Sequence, residues 1–377
     1  MPRARSTPPA RPGRVTLRQI ADRAGCSVPA ASTVLNRARG TITVCPVLRT
    51  RIVRIARELG YRANYHAAAL RLGRASTLGL LIGPPADYSF FGAFIAGVNQ
   101  VALEHDCNLL IVAGATPAQA VARGSEYLQS GRIDALVALV SPVGDALHAL
   151  DDVHAPIVLY GRRFSSPHPR VQVDLQPGMT AAVEHLAHLG HRALLWVHPV
   201  CNGRRSDNDR IGFVRAACAR RRMRLVELAV PVAAHDHGSA DAYLAAAAAC
   251  LRGWLATHRP PSAIMAYNER LAAGLSLALW EHGCRIPRDV SIVGVDDFCA
   301  RMTQPPMTVV GIELQTAGYR AGELALTLAM NVRAGARWRT RTVRVPARLI
   351  VRASTAPPRM ASADERRSRQ QLQPTRR

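Results

Sequence analysis

Along residues 15 to 74, apolar positions recur at helical spacing and break where a turn is due. Thr16 precedes an apolar-periodic run and Gln19 stands three places on, the pattern of a capping box for a first helix running through Ala24. Gly25 supplies a turn and Ser27 is a natural N-cap. Pro29 then falls in the first turn of a second helix, where a missing N–H costs nothing. Leu17, Ile20, Ala24, Ala31, Val34 and Leu35 are spaced to pack the two helices together, while Val28, Pro29, Ala30, Ser32, Thr33 and Asn36 lie around the second. A third helix is expected from about Pro46 to Leu59, with Val47, Ile52, Val53, Ile55, Ala56 and Leu59 as its packing stripe and Gly60 as its cap. Small and polar residues on one helix suit a major groove, and Arg49, Arg51, Arg54 and Arg57 on the next can lie along phosphates. The pattern is that of a helix-turn-helix over residues 15–62, behind a basic, proline-rich and disordered arm, residues 1–14.

From about Ser76 the pattern changes. Short apolar runs at 78–83, 108–114, 135–140, 156–161, 171–175, 193–197, 224–230, 262–267 and 290–295 read as strands. Between most of them lie amphipathic stretches, at 91–105, 177–189, 210–222, 240–257 and 269–282. Nearly continuous apolar strands alternating with helices imply parallel sheets covered on both faces, and two such groups imply two doubly wound lobes over residues 76–352. Ligands of such folds bind beyond the carboxyl ends of the strands, here the cleft between the lobes.

Charge sharpens this division. The chain carries a net +23, and residues 1–74 hold 15 arginines against Asp22 and Glu58, whereas residues 75–351 hold 27 against 22 acids. The excess sits where the helix-turn-helix is, as an electrostatic footprint for DNA should. All 49 basic residues are arginine, which with the abundant alanine points to a GC-rich coding bias; such a bias explains Arg over Lys but not the asymmetry along the chain. Without lysine there can be no P-loop ATPase, no Schiff-base or pyridoxal enzyme and no protein kinase. The sequence also lacks G-x-G-x-x-G, G-x-S-x-G and H-E-x-x-H motifs. Its eight cysteines are scattered without metal spacing and read as small hydrophobes in a reducing compartment, so no metal and no cofactor is expected. The N-terminal stretch lacks the apolar run of a signal peptide, and no segment approaches the ~20 apolar residues of a membrane span; the expected location is the cytoplasm. Residues 353–377, polar and basic with Pro357, Pro358 and Pro374, read as a disordered tail without the heptads of a tetramerising coil.

VTLRQIADRAGCS with STVLN, ELGYRANYHAAALRLGR, LGLLIG followed by FFGAFIAGV, VEHLAHLGHR, NERLAAGLSLAL and IPRDVSIVGVDDF occur in this order. Together they resemble the lactose-repressor/purine-repressor family of bacterial transcription regulators over residues 15 to about 352. The resemblance implies a homodimer on a pseudo-palindromic operator, with a periplasmic-binding-protein-like core whose lobe angle changes when a small molecule binds. Val28 and Pro29 match the family's base-reading pair, and Ala30, Ser32, Thr33 and Asn36 match further DNA contacts, joined on the same surface by Thr16 and Ser27. Where the family commonly has Thr-Val-Ser-Arg, this chain has Ala30-Ala31-Ser32-Thr33, so one arginine contact is missing and Arg37 or Arg39 is left to take its part. Residues 63–75 match the hinge that orders on DNA, with Asn64, Ala67 and Leu70 at its contact positions and Leu70 as the minor-groove wedge.

For the effector, the resemblance and the strand ends together point to Phe90, Phe91, Arg162, Arg210, Asn268 and Asp296, with a sugar or sugar derivative as the expected ligand. Phe90 and Phe91 either stack on a ring or pack the helix, and one of the two is expected to pack. Arg210 stands in R-x-G-F where R-x-x-G-F is usual, so Asp209 or Asn208 could take its place. Asn268 is followed by Glu269 where the family has Asp; it either contacts ligand or caps the next helix. Asp296 is the ligand candidate of the Asp296-Asp297 pair and Asp297 the structural one. Two other classes fit a two-lobed α/β chain. A solute-binding protein would need export and no basic headpiece. A sugar-modifying enzyme would need paired acids, and adjacent strand positions such as 296 and 297 point to opposite faces.

Overall fold

The computed structural model describes residues 15–35, 43–61, 74–83, 88–139, 144–161, 165–201, 204–205, 208–233, 240–335 and 340–359. The basic arm, Asn36, Arg37, Arg39, the hinge positions Asn64, Ala67 and Leu70, Arg162 and residues 360–377 lie outside them. The chain divides into two compact units, Met1–Ser76 and Thr77–Arg377.

In the first unit, α1 (Leu17–Ala24), α2 (Val28–Leu35) and α3 (Pro46–Glu58) follow from their end signals. Thr16 and Gln19 exchange the reciprocal bonds of a capping box, Gln19 N to Thr16 Oγ1 at 3.4 Å and Thr16 N to Gln19 Oε1 at 2.8 Å. Gly25 closes α1 in the left-handed region at φ 65°, and the Cys26 N–H returns to Ala21 O at 3.0 Å. Ser27 Oγ accepts from Ala30 N at 3.3 Å and opens α2. Ile20, Ala21, Ala24, Ala31, Val34, Ile52, Ile55 and Ala56 form the small core. Val47, placed in the packing stripe on sequence grounds, is 71% exposed. It stands five residues before Ile52, about 140° around the helix from it, so Leu48 rather than Val47 continues the packing stripe into the first turn of α3.

The second unit contains two sheets. The strands of the first are β1 (Thr77–Leu81), β2 (Asn108–Val112), β3 (Ala135–Leu139), β4 (Ile157–Tyr160), β5 (Arg170–Asp174) and β12 (Thr342–Pro346), all parallel in the order β12-β5-β4-β3-β1-β2. Those of the second are β6 (Ala193–Cys201), β7 (Arg204–Arg205), β8 (Arg224–Pro231), β9 (Ala263–Ala266), β10 (Ser291–Asp296), β11 (Thr308–Gly311) and β13 (Arg348–Ile350). Their order is β13-β11-β10-β9-β6-β7, with β8 also on β6. Strands β1, β3 and β9 are buried at every residue, as helices on both faces require. The helices are α4 (Tyr88–Glu104), α5 (Pro117–Gln129), α6 (Gln176–His188), α7 (Asn208–Arg220), α8 (Ala240–Leu255), α9 (Glu269–Glu281) and α10 (Leu314–Arg333).

All nine apolar runs became strands and all five amphipathic stretches became helices. Elements not singled out from the pattern are α5, β7, β11, α10, β12 and β13, which complete the sheets and bring the chain back between them. β12 joins the first sheet, and Ala347 alone separates it from β13 in the second. Helices α4 and α10 cross at glycine. A Cβ on Gly97 would lie 2.1 Å from Gln315 O and one on Gly318 would lie 2.1 Å from Phe94 O, so neither position admits a side chain without separating the helices.

The chain also departs from expectation after residue 352. Residues 353–359, expected to begin a disordered tail, are packed onto the second sheet. Ser354 is 1% exposed; its carbonyl accepts from Ile292 N at 2.9 Å and its Oγ from Thr308 N at 2.8 Å, so it bridges β10 and β11. His191 is buried beside it, its ring nitrogens within 3.0 Å of Ser262 Oγ and of Ala356 O. Composition reads this stretch as polar because its polar groups are spent on backbone partners rather than on water.

Candidate DNA-reading helix and inter-lobe cleft

The start of α2 presents Ser27, Val28 and Pro29 to solvent, with Val28 39% exposed. An exposed valine and proline in a first helical turn can contact thymine methyls and base edges while the backbone stays rigid. Thr33 and Ser32 are half-buried, and the Thr33 hydroxyl donates to Pro29 O at 2.9 Å. Ala30, placed among the DNA contacts on sequence grounds, is corrected: it is 8% exposed and belongs to the core with Ala31 and Val34. Ala30 stands four residues before Val34, on the side of α2 that packs against the other helices, whereas Val28 and Pro29 lie on the outer side. Thr16 and Ser27 are exposed and their oxygens act as caps.

In the second unit, the residues that follow the strands' carboxyl ends converge. Tyr267 follows β9, and its carbonyl accepts a hydrogen bond from Arg210 Nη1 at the start of α7. The Arg210 guanidinium lies 4.0 Å over the Tyr267 ring, a cation–π contact that holds the plane of the guanidinium. Asp296 ends β10. Burial drives its carboxyl up to about 7; Arg210 and Arg270 oppose the shift and Glu269 adds to it. Tyr160, which ends β4 in the first sheet, packs against Phe94 with ring centroids 4.3 Å apart and planes tilted by 42°. Its phenol is raised first by burial and then by the charge of Asp296, while Arg210 lowers it. A residue of the first sheet and two residues attached to the second therefore feel each other's charge across the cleft. Tyr243 of α8 joins them, its phenol raised by burial and by Tyr267, with Arg210 opposing.

Asp296 and Arg210 are thus brought together. Phe91 is half-buried and packs against the main core, the packing role expected for one of the two phenylalanines. The side chain of Phe90, those of Asn208 and Asp209, and all of Arg162 lie outside the described residues. Asn268 caps α9, its Oδ1 accepting from Leu271 N at 2.9 Å, the second of the two roles the sequence left open. Asp297 is bound by Arg352, whose Nη2 donates to both carboxylate oxygens at 2.7 and 2.9 Å. Sequence reasoning missed Arg270, Tyr160, Tyr267 and Arg352. The signal available for Arg270 was its place two residues after Asn268, in a first helical turn at a strand's carboxyl end. Arg352 had none, because its partner is 55 residues away.

Such a set can hold a polar ligand by charge-assisted and neutral hydrogen bonds against aromatic faces. Among the described residues no group of three or more His, Cys, Asp or Glu is placed to hold a metal ion, and no helix is long and apolar enough to cross a membrane.

A profile described as a periplasmic binding protein-like domain matches residues 183–355. The chain is 29% identical over 359 residues to the HTH-type transcriptional regulator AglR of Rhizobium meliloti, covering 91% of this chain and 95% of AglR. It is 29% identical over 318 residues to the HTH-type transcriptional regulator GalS of Salmonella typhimurium, covering 83% and 89%. Among solved structures, the lac repressor dimer bound to operator and the anti-inducer ONPF aligns over 91% of this chain and 100% of its own, with a TM-score of 0.72 at 20% identity. A LacI family transcriptional regulator from Mycobacterium smegmatis aligns over 75% and 100%, with a TM-score of 0.59 at 25% identity. With a helix-turn-helix followed by two mainly parallel sheets, the chain is similar along nearly its whole length to HTH-type transcriptional regulators such as AglR and GalS, and it shares the fold of the lac repressor.

Proposed function

We propose that the protein is a cytoplasmic repressor that binds a pseudo-palindromic operator as a homodimer, and that a sugar or sugar derivative in the inter-lobe cleft controls its grip on DNA. The observation that carries this reading is the cluster of Asp296, Arg210 and Tyr267 with Tyr160 of the opposite sheet, in a chain that begins with a DNA-reading helix. Val28 and Pro29 read bases, Ser32 and Thr33 stand beside them, and the arginines of α3 contact phosphates. Asn36, Asn64, Ala67 and Leu70 complete the DNA contacts, with Leu70 as the wedge of a hinge over residues 63–75. In the cleft, Asp296 and Arg210 bind the ligand's hydroxyls, and Phe90 and Arg162 complete its wall. Asn268 holds the helix whose first turn carries Arg270.

Two copies place two reading helices on two half-sites. Leu103, Leu110 and Ile111 of the first lobe and Leu277 and Trp280 of the second are exposed and offer apolar surface for the second copy. The names of structural relatives support the ligand class, one being a CelR–cellobiose complex and another a LacI family regulator with bound ribose. A binding role is favoured over turnover because Asp297 is taken up by Arg352, leaving Asp296 without a second acid of the Asp-Asp pair to share acid/base work. The test is to select operator DNA from random duplexes and then titrate the complex with sugars, sugar acids and sugar phosphates. The expected result is a specific complex whose affinity shifts with one of them, a response that Asp296→Ala abolishes while leaving DNA binding intact. Sequence-independent DNA binding, or turnover of the ligand, would overturn the reading.

A further inference from the structure

We infer that Glu269 and Arg352 are positioning residues of the effector site, clamping from two sides the strained turn that carries Asp296, so that the C-terminal segment is part of the binding machinery. The inference rests on the proposed role of Asp296. Asp296 and Asp297 are consecutive non-glycine residues with φ of 122° and 89°, a conformation that side-chain-bearing residues keep only where the surroundings impose it.

Two side chains impose it. Glu269, in the first turn of α9, is 2% exposed, and its Oε1 accepts from Phe298 N at 2.6 Å and from Cys299 N at 2.9 Å. The loop leaving Asp297 is thereby tied to the helix that Asn268 caps. Arg352 holds the other side. Its Nη2 grips both oxygens of Asp297, its Nη1 donates to Met307 O at 2.9 Å, and its own N–H donates to Thr308 Oγ1 at 3.0 Å. Arg352 is fixed in turn by Ser354 between β10 and β11 and by Ala356 against His191.

A carboxylate is a costly choice for a buried tie, since burial raises the pKa of Glu269 and nearby Asp297 adds to the rise. Two backbone N–H groups of one loop converge on a single Glu269 oxygen. A side chain of that length ending in an acceptor is required, and the charge is not. Glutamine therefore serves and alanine does not. Without the tie the turn relaxes, and Asp296 leaves the place where the charges of Arg210 and Arg270 act on its carboxyl.

The experiment uses the full-length chain with Glu269→Gln, Glu269→Ala, Arg352→Ala and, as a control, Asp296→Ala. Amide exchange at residues 298–299 is followed without ligand. Calorimetric titration uses whichever of ribose, galactose, cellobiose, galacturonate and glucose 6-phosphate binds the unsubstituted protein tightest. Glu269→Ala and Arg352→Ala are expected to weaken the sugar roughly 10- to 100-fold, as loss of hydrogen bonds to a charged group does, with operator affinity in the absence of sugar unchanged. Glu269→Gln is expected to keep both sugar affinity and exchange protection. Unweakened sugar binding in the alanine variants, with loss in Asp296→Ala, would overturn the clamp and leave the cleft reading standing. Retained binding in Asp296→Ala would overturn the cleft reading itself. If the alanine variants do not fold, Glu269→Gln decides: a loss as deep as that of Asp296→Ala would mean that the carboxylate meets the ligand directly and the inference is wrong. If no compound binds, the exchange arm decides, and protection of Phe298 and Cys299 that survives Glu269→Ala refutes the tie.

Discussion

The helix-turn-helix and the cleft solve the problem of presenting polar chemistry in opposite ways. In the first unit the helix-end signals are local: the capping-box partners are three positions apart, the Gly25 turn closes within five, and Ser27 caps the turn it opens. The candidate base-reading side chains Val28 and Pro29 are exposed at the start of α2, placed there by the helix's own end signals. In the cleft, charged groups are withdrawn from water and each depends on distant sequence. Arg210 meets Tyr267 57 residues on, Asp297 meets Arg352 55 residues on, and Tyr160 answers to Asp296 from the other sheet. An exposed recognition surface can be specified by periodicity, whereas a buried polar site must be assembled by topology, because each charge taken from water needs compensation that neighbouring residues rarely supply.

The comparison is broken most severely by removing the first unit. Deleting residues 1–74 should leave a folded two-lobed protein that has lost all specific operator binding, read by band shift and circular dichroism. Specific binding by the truncated protein would show that the cleft-bearing unit also reads DNA. In the intact protein the affinity should fall steeply with salt, since several phosphates are neutralised per headpiece.

Next in size is Ile52→Ala. Ile52 is fully buried in a core built from three short helices. The substitution should cost about 2 to 5 kcal/mol, enough to unfold so small a unit while the melting of the two-lobed unit stays in place. A single shifted transition in calorimetry would mean that the two units are not independent.

Asp296→Asn sharpens the cleft side. The folded carboxyl has been driven up to about 7, above its ordinary 3.8, so the unfolded chain releases this proton first as pH rises. The stability lost to Asp296 therefore begins near pH 4, grows through pH 7 and is constant above it. Removing the ionisation should flatten that decline and raise stability above pH 7 by about 1 to 3 kcal/mol, read from denaturant unfolding across the pH range. A pH–stability curve identical to that of the unsubstituted protein would show that the carboxyl is solvated. The smallest effect is Thr16→Ala, expected to cost about 1 kcal/mol through loss of the cap alone, measured as a lower melting temperature of the first unit.

Leu70 bears on the same contrast. It lies outside the described residues; if it is the wedge proposed above, its truncation to alanine should weaken operator binding without lowering the melting temperature of the free protein. A core leucine would lose stability instead.

By itself the sequence determined what nearest-neighbour physics controls. Helices α1, α2 and α3 with their caps, nine strands and five core helices followed from period, glycine and proline, and the division into a basic and a near-neutral unit followed from arginine placement. It could nominate Asp296 and Arg210 because each adjoins a strand end or helix start. Tertiary structure alone decided the rest. Ala30 faces inward because it lies on the same side of α2 as Val34, one turn on, and Val47 faces outward because it lies off the stripe that Leu48, Ile52 and Ile55 form on α3. Residues 353–359 are ordered rather than a tail because β10, β11 and His191 have backbone and ring groups waiting for them. Glu269, Arg270 and Arg352 acquire their roles only when sheet order brings α9, β10 and the C-terminal segment together. The physical reason is range. A cap or a turn is settled within a few residues, but the compensation of a buried charge is settled by whatever the fold places beside it.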